Sequence, residues 1–261
     1  MKIYTNRAYS FHQLGGRDNQ EDARYPDRDT IDEQTACFVV CDGVGGNEAG
    51  EVASRTVSEA IGQCLEHFNS LTEELTIDDF SAILTEAYDA LNEAAADSQQ
   101  LASMGTTLSF VGLHTGGALV AHIGDSRIYH IRPRAGILYR SSDYSLVNAM
   151  VHTGEISPDE AETHPKSNYI TRCMNPDLDG RIRSCASALQ ITDIRAGDYF
   201  LLCTDGVLHE VNDEMLIELL SSDLSDEEKM RELAHRCYYS SDNNTAMLVS
   251  IREVINDNAE D

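Results

Sequence analysis

Four short acidic segments hold the residues of this sequence best suited to chemistry: Arg17-Asp18-Asn19-Gln20-Glu21-Asp22, Cys41-Asp42-Gly43-Val44-Gly45-Gly46, Thr204-Asp205-Gly206 and Ser241-Asp242-Asn243. Three of them abut apolar runs that read as buried strands. Phe38-Val39-Val40-Cys41 leads into Asp42, Tyr199-Phe200-Leu201-Leu202-Cys203 leads towards Asp205, and Asp242 sits just before Ala246-Met247-Leu248-Val249-Ser250-Ile251. A carboxylate at the end of an interior strand does not stay ionised in apolar surroundings without a counter-charge. A cation is the obvious one. Carboxylates and a backbone carbonyl, with no matching Cys or His cluster, make a hard oxygen environment suited to Mg2+ or Mn2+, ions that keep several water ligands. Two such ions about 3.5–4 Å apart acidify a shared water and clamp a phosphoryl oxygen, so the donor set suits hydrolysis of a phosphate ester. Arg17 adds a planar fork that matches a phosphate bidentately, a few residues ahead of Asp22.

The elements that must position these residues are mixed. Residues 48 to 68 place Val52, Ala53, Val57, Ala60, Ile61, Cys64, Leu65 and Phe68 at helical spacing. A second helical segment, from Asp78 to about Leu101, repeats the pattern with Phe80, Ile83, Leu84, Ala87, Tyr88 and Leu91, and Asp78 or Asp79 is placed to cap it. From Gly105 to Arg140 the period drops towards two and β-branched and aromatic residues dominate, which predicts a meander of short antiparallel strands. Helical signals return at 145 to 163 and 213 to 238, before the final strand. Periodicity alone supports an α+β class with sheet buried beneath helices.

Composition agrees with one compact catalytic unit. The 261 residues are 41% hydrophobic, enough for a sizeable core, and no linker, low-complexity tract or repeat divides them. Neither an apolar leader nor a run of eighteen apolar residues is present, so the cytoplasm is the expected compartment and no membrane partner is expected. Against 45 acidic residues stand 19 basic ones, a formal net charge of −26, which argues against a nucleic-acid partner. The seven cysteines form no Cys-x-x-Cys pair and read as small packing residues. None is followed six positions later by the Arg that a cysteine-nucleophile phosphatase needs. Asp27-Arg28-Asp29-Thr30 matches the Asp-x-Asp-x-Thr pattern of aspartyl-phosphate hydrolases, but polar, Pro-broken Ala23-Arg24-Tyr25-Pro26 precedes it, and a charged surface loop is expected there.

In order along the chain, the segments resemble those of the bacterial metal-dependent serine/threonine protein phosphatases of the protein phosphatase 2C type. Arg17 to Asp22 resembles the opening motif and Asp42 to Gly46 the Asp-Gly-x-Gly-Gly motif. Met104-Gly105-Thr106-Thr107 is similar to the Gly-Thr-Thr strand, Gly124-Asp125-Ser126-Arg127 to the Gly-Asp-Ser-Arg turn, and His164-Pro165 with Ile170-Thr171-Arg172 to the end of the flap; Asp205-Gly206 and Asp242-Asn243 complete the set. The resemblance implies a four-layer αββα sandwich, two antiparallel sheets flanked by helix pairs. It implies a single catalytic domain over residues 1–255, a mobile substrate-facing flap at about 143–187, and an acidic tail at 256–261. It also implies roles. Asp42 bridges two ions, Mn2+ or Mg2+; the Gly43 carbonyl completes one, and Asp205 and Asp242 hold the other. Glu21 and Asp22 orient waters, Arg17 grips the phosphate, and Asp125 shares a third, weakly held ion with Asp205. Val44 stands where some members have a His, which leaves a water as the proton donor. The implied substrates are phosphoserine and phosphothreonine proteins of a serine/threonine kinase pathway, acted on by a monomer.

Blander readings stand beside these. Asp-Gly is a common turn signal, and Gly124-Asp125-Ser126 lies where a tight turn between two β-like runs is needed anyway. An Arg near a terminus is usually solvated, and His152 and His164, in a polar stretch, are assigned no catalytic role. Two other functions fit similar acids: a catalytically silent binding module of the same fold, and a two-metal phosphodiesterase. Every matched acid is present, which opposes the first; no base-binding aromatic cluster is evident, which opposes the second.

Overall fold

The computed structural model describes residues 1–44, 49–96, 98–162, 164–166, 169–178 and 182–256. Gly45 and Gly46 of the second acidic segment, and the expected tail beyond Asn256, lie outside the described residues. Within them the chain opens with β1 (Lys2–Thr5), β2 (Ala8–Gln13), β3 (Asp22–Tyr25), β4 (Thr30–Ile31) and β5 (Cys37–Val44), then α1 (Ala49–Cys64) and α2 (Ile77–Ala95). A meander follows: β6 (Gly105–Thr106), β7 (Leu108–His114), β8 (Gly117–Ile123), β9 (Arg127–Arg132) and β10 (Gly136–Arg140). Next come α3 (Leu146–Thr153), α4 (Pro158–Glu162), β11 (Ser187–Ile191), β12 (Tyr199–Cys203), α5 (Asp205–Leu208), α6 (Asp213–Ser221), α7 (Asp226–Arg236) and β13 (Asn244–Ile255).

Strand β5 shows how the layers arise, because successive side chains of a strand point to opposite faces. Cys37, Val39 and Cys41 pack with Ala53, Val57 and Ile61 of α1 and with Phe80 and Leu91 of α2. Phe38 and Val40 pack the other way, against Phe200 and Leu202 of β12 and Met247 and Val249 of β13. Tyr199, Leu201 and Cys203, on the far face of β12, meet Leu216 and Leu219 of α6 and Met230 and Leu233 of α7. The sandwich is therefore helices, sheet, sheet, helices, as the resemblance implied. One sheet runs β10-β9-β12-β13-β2-β4 with β1 on β13, the other β11-β8-β7-β5-β3 with β6 on β5. Fully burying a side chain such as Phe38 or Phe200 contributes about 1.5–3 kcal/mol, and a one-residue slip of β5 would move all of its inner set to the helix side.

Boundaries differ from expectation in places. Helix α2 is capped by Thr76, not Asp78 or Asp79: Thr76 Oγ1 accepts the Asp79 N–H at 3.1 Å while Asp79 Oδ2 accepts the Thr76 N–H at 2.9 Å. Asp79 is the third residue of that capping box, a reciprocal arrangement worth about 1 kcal/mol. Helix α1 ends at Cys64 because the chain tightens there into three-residue turns, Leu65 N–H to Gly62 O and Phe68 N–H to Leu65 O. The cysteines divide: Cys37, Cys41, Cys203 and Cys237 are buried, whereas Cys64 and Cys185 are exposed, so not all are packing residues. Asp27 and Asp29 lie at the surface, both bound to Arg24, as a charged loop would, but the expectation that no strand precedes them is corrected: Asp22–Tyr25 form β3, polar yet mostly buried because it pairs with β5.

Candidate metal centre

Beyond Val40 the next residue on the inner face of β5 is Asp42, which falls where the sandwich ends. Strand β3 begins with Asp22 directly opposite it, so two carboxylates sit side by side on paired strands. From the other sheet, β12 ends one residue before Thr204, Asp205 opens α5, and Asp242 stands just ahead of β13. The ends of four strands thus converge on one cleft.

Hydrogen bonds hold Asp42, Glu21 and Asp22 in place. Thr107 Oγ1 accepts the Asp42 N–H at 2.9 Å, and the Asp42 carbonyl accepts the Thr107 N–H at 2.8 Å and the Thr106 hydroxyl at 3.0 Å. The Gly-Thr-Thr strand is therefore a clamp on Asp42. Gly43 donates its N–H to the Glu21 carbonyl at 3.0 Å, and a Cβ there would fall 2.4 Å from the Gly50 carbonyl, which explains the glycine. Asn243 ties the opening motif to β13: its Oδ1 accepts the Glu21 N–H at 2.8 Å and its Nδ2 donates to the carbonyls of Leu14 and Asn19. Asp22 Oδ2 accepts hydroxyls from Thr245 at 2.7 Å and Thr204 at 3.0 Å. Asp22 Oδ1, buried, has no hydrogen-bond partner among the described residues.

The electrostatics follow from too many acids and too few cations. Burial, then the neighbouring charges of Asp22, Asp205, Asp125 and Asp242, raises the Asp42 carboxyl well above the usual carboxylate range. Burial also raises Asp22, with the two threonine hydroxyls opposing, and raises Asp205, with His209 opposing. Asp125, buried near Asp205 and Asp143, is pushed up to about 7 by burial first and those charges second. Glu21 is raised by burial against the pull of Arg17. Arg17 itself sits half-exposed, its Nη2 2.7 Å from Asp242 Oδ2. Buried carboxyls pressed together, two of them with an orphaned oxygen, fit hard divalent cations, which supply the missing positive charge through oxygen donors.

The acids assigned to the site in the sequence, Glu21, Asp22, Asp42, Asp125, Asp205 and Asp242, with Arg17 and Gly43, thus gather at this end of the sandwich. Asp125 lies on the turn whose Ser126 Oγ meets Thr107 Oγ1 at 2.7 Å, tying that turn to the clamp on Asp42. Arg127 turns away to hold Asp143 with two 2.7 Å bonds, fastening the first residue of the expected flap. His164 Nδ1 accepts the Lys166 N–H and has no place among the acids. Sequence reasoning missed the supporting hydroxyls of Thr204 and Thr245, the tether Asn243, and above all His209. Its Nε2 lies 3.9 Å from Asp205 Oδ2, within reach of the acids. The four-residue spacing from Asp205 was the available signal.

Fold and site define a two-sheet sandwich with an acid cluster at one end of its strands, and the comparisons agree. The model of the family "Protein phosphatase 2C" matches residues 12–251, and the chain belongs to that family. It is a protein phosphatase, a hydrolase acting on phosphoproteins. Protein phosphatase PhpP of Streptococcus pneumoniae is 30% identical over 220 residues, 83% of this chain and 86% of the relative. A solved bacterial serine phosphatase superposes with a TM-score of 0.79 at 31% identity, covering 95% of this chain and 99% of the other. The catalytic domain of serine/threonine protein phosphatase PstP, solved with two manganese ions, gives 0.77 at 25% identity over 97% of this chain and 100% of that one.

Proposed function

We propose that the chain hydrolyses phosphoserine and phosphothreonine in proteins at the cleft where Asp42, Asp22, Asp205 and Asp242 converge. The observation that carries this reading is the set of buried, mutually raised carboxyls with orphaned oxygens on Asp22 and Asp125. Asp42, the Gly43 carbonyl, Asp205 and Asp242 are the residues that would hold two divalent ions, manganese or magnesium. When bound, they supply acidification of water and neutralise charge on the phosphoryl group. Asp22 and Glu21, fixed by Thr204, Thr245 and Asn243, orient water; Arg17, half-exposed at the rim, binds the phosphate. Val44 offers no proton, so water serves as the leaving-group acid. Asp125 and Asp205 would share a third, more weakly held ion.

Residues 1–255 form one catalytic domain, and the segment 143–187, fastened by the Arg127–Asp143 pair, is the substrate-facing flap. The substrates belong to a serine/threonine kinase pathway, and a charge of −26 draws in phosphoproteins with basic flanks. The enzyme works as a cytoplasmic monomer; among the described residues no helix is long and apolar enough to cross a membrane. The test is hydrolysis of a phosphothreonine peptide beside a phosphodiester. The peptide is turned over only with added Mn2+ or Mg2+ and not with chelator. Full activity in a rigorously metal-free preparation, or preference for the diester, overturns the reading.

A further inference from the structure

His209 lies outside the acid set that the sequence brings forward, yet it stands at the same cleft. It follows the first residue of α5 by four positions, a spacing that puts two side chains on one side of a helical turn. Donor atoms of Asp205, His209 and Asp242 all lie within 4.8 Å of one another. Atoms that share one ion at about 2.0–2.3 Å are about 3 Å apart when adjacent and somewhat over 4 Å when opposite, so these three need only small side-chain rotations to do so. Asp22, 4% exposed and with its Oδ1 unpartnered, feels the charges of both Asp205 and Asp242 and marks the same spot as short of positive charge. Arg17 takes Asp242 Oδ2 here, so an ion arriving between Asp205 and Asp242 competes with the guanidinium for that oxygen.

We propose that His209 is a nitrogen ligand of the ion held by Asp205 and Asp242, giving that position a mixed oxygen and nitrogen donor set. Imidazole binds first-row transition ions better than it binds magnesium, so the residue biases this position towards manganese and its heavier neighbours and against magnesium. The proposal rests on the two-ion reading, and its test separates the two.

The experiment is pulsed electron paramagnetic resonance of the full chain loaded with Mn2+, with 14N-histidine and with 15N-histidine, alongside calorimetric titration of Mn2+ and Mg2+. Wild-type protein binds two Mn2+ and shows the hyperfine coupling of a directly bound imidazole nitrogen, changing with the isotope. His209→Gln, at an exposed position and checked for fold by circular dichroism, loses that coupling. It binds one of its two Mn2+ at least about tenfold more weakly, with Mg2+ affinity changed by less than about twofold. Two bound Mn2+ without nitrogen coupling in the wild type overturns the assignment of His209 and leaves the two-ion reading standing. Coupling that persists in His209→Gln overturns it too. Failure of the wild type to bind Mn2+ at all overturns both.

Discussion

Each end of strand β12 carries an aspartate, one fully buried and the other partly so, and the two carboxyls are held in opposite ways. Asp198, just before the strand, is fully buried and fully partnered. Arg132 donates to it from Nε at 2.8 Å and Nη2 at 2.9 Å, His130 Nε2 and the Arg195 N–H donate at 2.9 Å, and Arg132 also reaches Asp193. Burial alone would raise this carboxyl; the bonds from His130, Arg132 and Arg195 outweigh it and hold it at about 2. At the other end Asp205 shares its surroundings with Asp42, Asp22 and Asp242, with Arg17 already on Asp242 and the His209 ring 3.9 Å from Asp205. Burial there raises the carboxyls, because their nearest charges are mostly negative. Burial therefore does not distinguish a structural acid from a functional one. The difference lies in whether the fold supplies the counter-charge or leaves it to a ligand.

The sharpest way to break this comparison is to remove one acid from each end. Asp42→Asn should abolish binding of both Mn2+ and lower phosphopeptide turnover by more than about a hundredfold, while thermal stability without metal holds or rises, because a like charge has been removed. A drop of less than tenfold would take Asp42 out of the bridging role. Asp198→Asn should act the other way: it leaves Arg132 and His130 short of a partner and costs about 3 kcal/mol in urea denaturation, with Mn2+ binding retained by the folded fraction. Unchanged stability would show that the pairing at that end does not matter to the fold.

Smaller effects sharpen the contrast. Asp125→Ala should still bind two Mn2+ by calorimetry yet turn over phosphopeptides at least about tenfold more slowly, roughly 1.4 kcal/mol of transition-state stabilisation. Wild-type rates would return Asp125 to being a turn residue.

The two ends also titrate in opposite senses. Asp198 lies below its unfolded value of about 4, so its contribution is complete above that pH and is lost as pH falls towards about 2. Asp125 and Asp22 lie above their unfolded values, at about 7, so their contribution is greatest below about pH 4 and is lost as pH rises through about 7; Asp42 and Asp205 are shifted in the same direction. The urea midpoint of chelator-treated protein should peak near pH 4–5 and decline towards pH 8, and Mn2+ should remove that decline. A flat metal-free profile between pH 5 and 8 would contradict the assignment of the cleft as short of positive charge.

Much of this architecture was legible in the chain. The runs into Asp42 and Asp205 and out of Asp242 read as strands because β5, β12 and β13 are buried on both faces and so carry continuous apolar residues. Strands β1 to β4 were not, since Lys2–Thr5 and Ala8–Gln13 mix polar and apolar residues at sheet positions that short-range pattern does not distinguish from loop. The capping box at Thr76 was hidden by Asp78 and Asp79, both of which suit a cap; only the backbone turn decides which residue stands outside the helix.

The acids themselves, their order, and the apolar strands beside Asp42, Asp205 and Asp242 were set by the sequence, because an apolar run next to a carboxylate is a local pattern that burial imposes wherever it occurs. What the tertiary structure decided is which groups meet. Asp22 faces Asp42 because β3 pairs with β5 in that register, and its carboxylate is held by hydroxyls of Thr204 and Thr245 that arrive from the other sheet. Asp198 is neutralised by His130 and Arg132 of a neighbouring strand while Asp205 is not, and His209 gains its place among the acids only when Asp242 comes in from β13. Electrostatic energy depends on distance through space, and sequence separation does not encode that distance until the sheets have closed on each other.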